Sequence, residues 1–140
     1  MDYSRTVLTR RACDRGMSLD VSVYRLHPDG SATEVPLDER DGNPHLAGFE
    51  SWRRQVWGSA IVCSWGCHVL PSLATGDVYA SGDGLEELAR EVALLERRLD
   101  ELAVAVGVEW DVLAYRLGNI RRAVALALDE LRGTVEVRVW

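Results

Sequence analysis

The side chains best suited to chemistry in this chain lie in one short stretch and are Cys63, Cys67 and His68. Two thiols and an imidazole are ligands that suit zinc once the thiols are deprotonated and the imidazole is neutral. Three residues separate the two cysteines, whereas a zinc knuckle, a redox pair or a haem attachment motif has two. One interpretation is therefore a zinc site made by these three residues, with His45 as a fourth ligand.

The alternative for the same stretch is structural. The apolar residues before Cys63 are β-prone, and on an extended strand Cys63 and Cys67 would lie about 13 Å apart, at about 3.3 Å per residue. Two small buried cysteines and a hydrogen-bonded or exposed histidine are then expected. A thiol nucleophile or a disulfide with Cys13 remains open. We expect no cofactor, and zinc is the only candidate that this stretch suggests.

A second cluster combines aromatic and basic residues. Phe49, Trp52 and Val56 follow the i, i+3, i+7 spacing of one face of a short helix, so packing into the core is the ordinary expectation. Tryptophan and arginine are also the residues that dominate binding hot spots, which makes this segment a candidate partner surface. The residues assigned to that surface are Trp52, Arg53, Arg54 and Trp57.

The long helices carry further polar candidates. Tyr115, Asn119 and Arg122 recur at i, i+4 and i+7 and form a ridge that could contact a partner. Several glutamates of the first helix, Glu86, Glu91 and Glu96, could serve as a general acid and base, but charged positions beside an apolar stripe usually form a solvated face. We therefore expect no catalytic residues and favour a protein that is not an enzyme.

Two heptad stripes position these residues and predict a helical hairpin at about 84–106 and 109–132. Gly107 is expected to end the first helix in a left-handed conformation, and Gly133 to end the second. Asp83 and Glu86 have the spacing of a capping box at the start. The stripe positions are Leu85, Leu88, Val92, Leu95, Leu99, Leu102 and Val106, followed by Trp110, Leu113, Leu117, Ile120, Val124, Ala127 and Leu131.

Strand patterns at both ends complete the predicted fold. Residues 18–26 and 134–140 alternate apolar and polar side chains, and a Pro-Asp-Gly turn at 28–30 folds the first strand back onto 33–37. The fold class is α+β, with a small antiparallel or mixed sheet packed against the helical hairpin. We expect the stripes to face each other and the sheet within one subunit, with both a monomer and a homodimer left open.

Composition limits the class of protein. The chain has 140 residues, a net charge of −6 and 16 basic residues, all of them arginine, which is typical of a GC-rich bacterial genome. An acidic chain is a poor ligand for nucleic acid, no apolar run is long enough to cross a membrane, and no secretory signal is evident, so we expect a cytoplasmic protein. Residues 17–140 are predicted to be one domain, and residues 1–16 a flexible arm or an extension before an alternative start at Met17.

The sequence favours a non-catalytic protein-interaction domain, with an acidic or a Trp/Arg surface as the contact. A small acidic single domain of this kind resembles the general profile of immunity and antitoxin-type inhibitors, which bind a toxin and block it. The resemblance is to a general kind of protein and rests on no motif. It implies a protein partner but does not identify a site. The alternatives are a Cys/His metal-binding or thiol-dependent protein, and a sensor of a small ligand.

Overall fold

The computed structural model describes residues 18–37, 43–130 and 134–140. The predictions for residues 1–16, for Cys13 and for Gly133 lie outside this part of the chain. The described strands are β1 (Ser18–Leu26), β2 (Ala32–Val35), β3 (Leu46–Phe49), β4 (Val78–Ala80) and β5 (Val135–Val139).

The strands form one antiparallel sheet in the order β2-β1-β5-β4, with β3 paired to the beginning of β1. The predicted hairpin is confirmed, with Arg25 opposite Thr33. Strand β5 pairs β1 with Val23 opposite Val137, so the two terminal patterns lie side by side in the sheet. Their alternate valines are buried on one face, which is the period of a half-buried strand.

The helices are α1 (Ala60–Ser64), α2 (Gly82–Arg97), α3 (Leu99–Val106) and α4 (Trp110–Glu130), with a π-helical turn at Arg53–Trp57 and a 3₁₀ turn at Leu70–Ala74. Helix α4 packs against α2 and α3 and against β1, β3 and β5. Strands and helices together confirm the α+β class. None of the helices in the described ranges combines the length and the apolar character that a membrane crossing requires.

The first arm of the hairpin is two helices, whereas one continuous helix was predicted. Arg98 has φ −116° and ψ 30°, outside the helical region. Its backbone nitrogen lies 3.2 Å from the carbonyl oxygens of both Leu94 and Leu95. The left-handed end at Gly107 is confirmed by its φ of 72°. The prediction of a capping box is wrong. Helix α2 begins at Gly82, Asp83 lies inside its first turn, and no side chain caps the helix at Ser81.

The apolar stripes form the core, as predicted. Every described stripe residue from Leu85 to Leu102 and from Leu113 to Ala127 is buried. Because α2 and α4 also contact the sheet, the chain fills its own seam. Among the described stripe positions, the end near Val106 and Trp110 stays partly open, and Leu131 lies outside the described residues.

Two local predictions are wrong. The β-prone run before Cys63 forms helix α1, because a short apolar run fits a buried strand or a helix equally well and periodicity cannot separate them. Phe49 belongs to strand β3 and is 41% exposed, so it does not share a helical face with Trp52 and Val56. It contacts Trp52 edge to face, with ring centroids 6.0 Å apart.

Candidate functional site

The predicted thiols lie in different environments. Cys63 is exposed, whereas Cys67 is buried. Burial, with a smaller contribution from the negative charge of Glu91, raises the pKa of Cys67 to about 11. A thiol that stays protonated at neutral pH is a weak nucleophile, so Cys67 fits a packing role better than a catalytic one.

His68 belongs to a different ligand group from the one the sequence suggested. Within the described ranges, one group of three potential metal ligands has its ligand atoms within 4.8 Å of one another, and its members are His68, Glu87 and Glu91. The predicted cysteines, Cys63 and Cys67, and His45 are not part of this group. We refer to His68, Glu87 and Glu91 as the carboxylate–histidine cluster.

Glu91 is a charged residue whose predicted position on the surface is wrong. It was assigned to a solvated face, but its side chain is completely buried. Glu91 Oε2 accepts hydrogen bonds from the backbone N–H groups of His68 and Val69 at 2.8 and 2.9 Å. Its Oε1 accepts the N–H of Leu70 at 2.9 Å. These bonds satisfy the backbone donors that precede the 3₁₀ turn, and they join the turn to α2.

A sequence signal for Glu91 existed. It lies three residues after Leu88 and four before Leu95, which places it at the edge of the apolar stripe. The other two glutamates agree with the solvated-face prediction, since both are exposed. Glu96 also pairs with Arg121 of α4 at 2.9 Å.

Glu87 is half-buried and lies beside the buried Glu91 carboxylate. Arg90 donates hydrogen bonds to both of its oxygens, 3.0 Å from Nε to Oε1 and 2.5 Å from Nη2 to Oε2. His68 Nε2 lies 3.3 Å from Glu87 Oε2, and the His68 side chain is 72% exposed. The hydrogen bonds with Arg90 and then with Glu91 lower the pKa of Glu87 to about 2.

The predicted Trp/Arg surface is mostly interior. Trp52 and Trp57 are buried with their rings edge to face at 5.7 Å, and Trp57 Nε1 donates to the Ala47 carbonyl at 2.9 Å. Arg53 is buried as well. Arg54 is the exposed member of the four, so a partner would reach that residue and not the tryptophans.

The buried Arg53 guanidinium organises the surrounding loops. It donates to Asp77 Oδ1 at 2.8 Å, to the carbonyls of Leu73 and Gly76 at 3.2 and 2.6 Å, and to the Glu50 carboxylate. Burial opposes its charge, but the hydrogen bonds with Glu50 and Asp77 prevail and raise the pKa of Arg53. These contacts give Arg53 a structural role.

The predicted ridge of α4 is also partly interior. Asn119 is buried, and its Nδ2 donates to the carbonyls of Asn43 and Leu46 at 3.1 and 2.7 Å. Tyr115 and Arg122 are half-buried. Asn119 therefore anchors the segment before β3, which leaves Tyr115 and Arg122 as the members that solvent reaches.

The tip of the helical hairpin carries the most exposed apolar residues of the described chain. Val104 is 85% exposed and Trp110 is 52% exposed, with Val112 beside them at 37%. Together with Ala103 and Val108, Val104 and Trp110 line a groove of about 530 Å³. The tip groove, as we call it, is lined by Asp100, Ala103, Val104, Gly107, Val108, Glu109 and Trp110.

The charged rim of the tip groove is acidic. Asp100 and Glu109 line it, and Asp111 is exposed close by. No ion pair to these three carboxylates is found among residues 18–37, 43–130 and 134–140. The neighbouring cation, Arg98, forms an ion pair with Glu101 at 3.0 Å. Its guanidinium carbon lies 4.2 Å from the centroid of the Trp65 ring.

Comparison of the chain with protein-family models, with curated proteins and with solved structures finds no match.

Proposed function

We propose that this protein is a non-catalytic interaction domain that binds a protein partner at the tip groove. The observation that carries the proposal is the exposure of Val104 and Trp110 beside a rim of carboxylates that form no ion pair with any described residue. The partner is a protein segment that inserts an apolar side chain between these two residues and places arginine or lysine near Asp100 and Glu109.

The apolar part of the groove supports a macromolecular partner. Tryptophan is the residue type most often found as a binding hot spot, because burying its large ring contributes several kcal/mol at little conformational cost. The volume of about 530 Å³ falls in the range of small-molecule pockets. However, Val104 on its rim is almost fully exposed, and such a shallow surface encloses a protein side chain better than a free ligand.

The charge of the rim supports a basic partner. Carboxylates around an apolar centre attract cations and raise the rate of association. The net charge of −6 acts in the same direction over the whole molecule. Inhibition of a cationic toxin by an immunity or antitoxin-type mechanism, in a bacterial cytoplasm, is the version of this function that the composition favours.

The direct test is affinity capture with the tagged full-length protein from an extract of its source organism. The partner identified with the wild type is then titrated against Val104→Glu combined with Trp110→Ala. We expect at least a tenfold weaker affinity, because the double change removes the apolar contact and adds a desolvated charge. Asp100→Arg should weaken binding less and reduce its dependence on salt.

Ala125→Glu is the matched control, since Ala125 is exposed on α4 outside the tip groove. It should bind as the wild type does. Unchanged affinity in the Val104/Trp110 double variant would contradict the proposal, provided that circular dichroism shows the variant to be folded.

A further inference from the structure

The carboxylate–histidine cluster joins two elements. Glu87 and Glu91 are one helical turn apart on α2, so their side chains project from the same face. His68 comes from the loop before the 3₁₀ turn, and the bond from its own backbone N–H to Glu91 fixes that loop against the helix. The fold therefore fixes the backbone of all three ligands, while the His68 side chain is exposed.

The spacing of the ligand atoms fits a tetrahedral metal ion. Zinc binds imidazole nitrogen and carboxylate oxygen at about 2.0 to 2.2 Å, so two such ligands around a tetrahedral ion lie about 3.3 to 3.5 Å apart. The observed distance from His68 Nε2 to Glu87 Oε2 is 3.3 Å. All three ligand atoms lie within 4.8 Å of one another, so small side-chain movements would complete the set.

The coordination capacity of the two carboxyl groups leaves room for a cation. Arg90 donates one hydrogen bond to each oxygen of Glu87, and each carboxylate oxygen keeps a second lone pair. Three backbone N–H groups occupy three of the four lone-pair sites of Glu91. One site is left on Glu91, for a metal ion that it would share with Glu87.

We propose that His68, Glu87 and Glu91 bind a divalent transition-metal ion, with zinc as the best fit, through one imidazole nitrogen and two carboxylate oxygens. Three protein ligands leave a fourth position for water, and the exposure of His68 gives the ion a path from solvent. The site is distinct from the tip groove and does not depend on the proposed function. It also differs from the set suggested by the sequence, because it uses His68 without Cys63 or Cys67.

The test is zinc titration of the metal-free, full-length protein against a chromophoric chelator. We expect one zinc ion per chain, and at least tenfold weaker binding in His68→Ala and in Glu87→Gln. Both changes are at side chains that solvent reaches, which keeps the fold intact.

The controls are His27→Gln and Glu86→Gln, which change the same residue types outside the cluster, and Cys63→Ser and Cys67→Ser. All four should bind zinc as the wild type does. X-ray absorption of the zinc-loaded protein should show only nitrogen and oxygen ligands. The proposal is overturned if the wild type binds no stoichiometric zinc, if His68→Ala binds it equally well, or if sulfur appears in the first coordination sphere.

Discussion

In the middle of α2 a charged residue is buried, whereas at the tip of the hairpin apolar residues are exposed. Both are the reverse of the usual arrangement. On α2, Glu91 is fully buried and accepts three backbone hydrogen bonds. At the tip, Val104 and Trp110 are exposed next to carboxylates that have no ion pair in the described part of the chain. The first arrangement satisfies polar groups inside the molecule, whereas the second leaves apolar surface for contacts outside it.

Because of this difference, the middle of α2 should contribute mainly to stability and the tip mainly to binding. A buried carboxylate is tolerated only when hydrogen bonds replace the water it has lost, so Glu91 must be committed to the fold. Trp110 is 52% exposed, so about half of its burial energy stays available for a partner. The same hairpin thus has a region whose changes should unfold the protein and a region whose changes should leave it folded.

The largest contrast should be between two tryptophans. Trp57→Ala removes a buried ring and its bond to the Ala47 carbonyl, so we expect a loss of about 3 to 5 kcal/mol in the free energy of unfolding. Trp110→Ala changes a half-exposed ring and should stay within about 0.5 kcal/mol of the wild type. Urea unfolding measures both, and equal losses would remove the distinction between the two regions.

The next effect tests the buried carboxylate. Glu91→Ala leaves three backbone N–H groups without acceptors, and we expect a loss of about 3 kcal/mol in urea unfolding. Glu86→Ala, one exposed position on the same helix, should cost less than about 0.5 kcal/mol. If the two variants are equally stable, Glu91 does not join the loop to α2.

A smaller contrast concerns the two cysteines. The rise in the pKa of Cys67 from 9.0 to about 11 lowers its thiolate fraction at pH 8 by about a hundredfold. With burial added, Cys67 should react with iodoacetamide at least tenfold more slowly than the exposed Cys63. Peptide mapping by mass spectrometry assigns the modified residue in a Cys13→Ser background, and faster labelling of Cys67 would show that its thiol is accessible.

The smallest effect is the pH dependence of Glu87. Its pKa is lowered from 4.5 to about 2, so its contribution to stability is complete above about pH 4.5 and is lost as the pH falls toward 2. Glu87→Gln should lose less stability than the wild type over that interval. Solvent screens the pair with Arg90, so the difference is small and should shrink in high salt. Parallel acid unfolding curves for the two proteins would contradict this assignment.

Periodicity was enough to predict most of the fold. The strands at 18–26 and 134–140, the buried stripes and the left-handed Gly107 follow from local patterns that the structure confirms. The break at Arg98 was not predictable in this way, because Leu99 continues the apolar stripe without a proline or glycine. Nor was helix α1, since a short apolar run is compatible with a helix or a strand.

The candidate sites were less predictable, because they depend on contacts between distant segments. His68 was singled out for its chemistry, but its neighbours Glu87 and Glu91 are 19 and 23 residues further along the chain. The burial of Trp57 depends on Ala47 of β3 as its hydrogen-bond acceptor, a pairing that no periodicity gives. Trp110 was assigned to the seam, and its exposure results from its place at the end of the hairpin.

The most direct test of the tip groove is site-specific photo-crosslinking in the source organism. A benzophenone side chain is introduced in turn at Val104 in the tip groove, at Arg54 of the predicted Trp/Arg surface, and at Ala125 on α4, all three of them exposed positions. We predict a covalent complex with one protein partner from position 104 and none from positions 54 and 125. A crosslink at position 54 or 125, with none at 104, would contradict it.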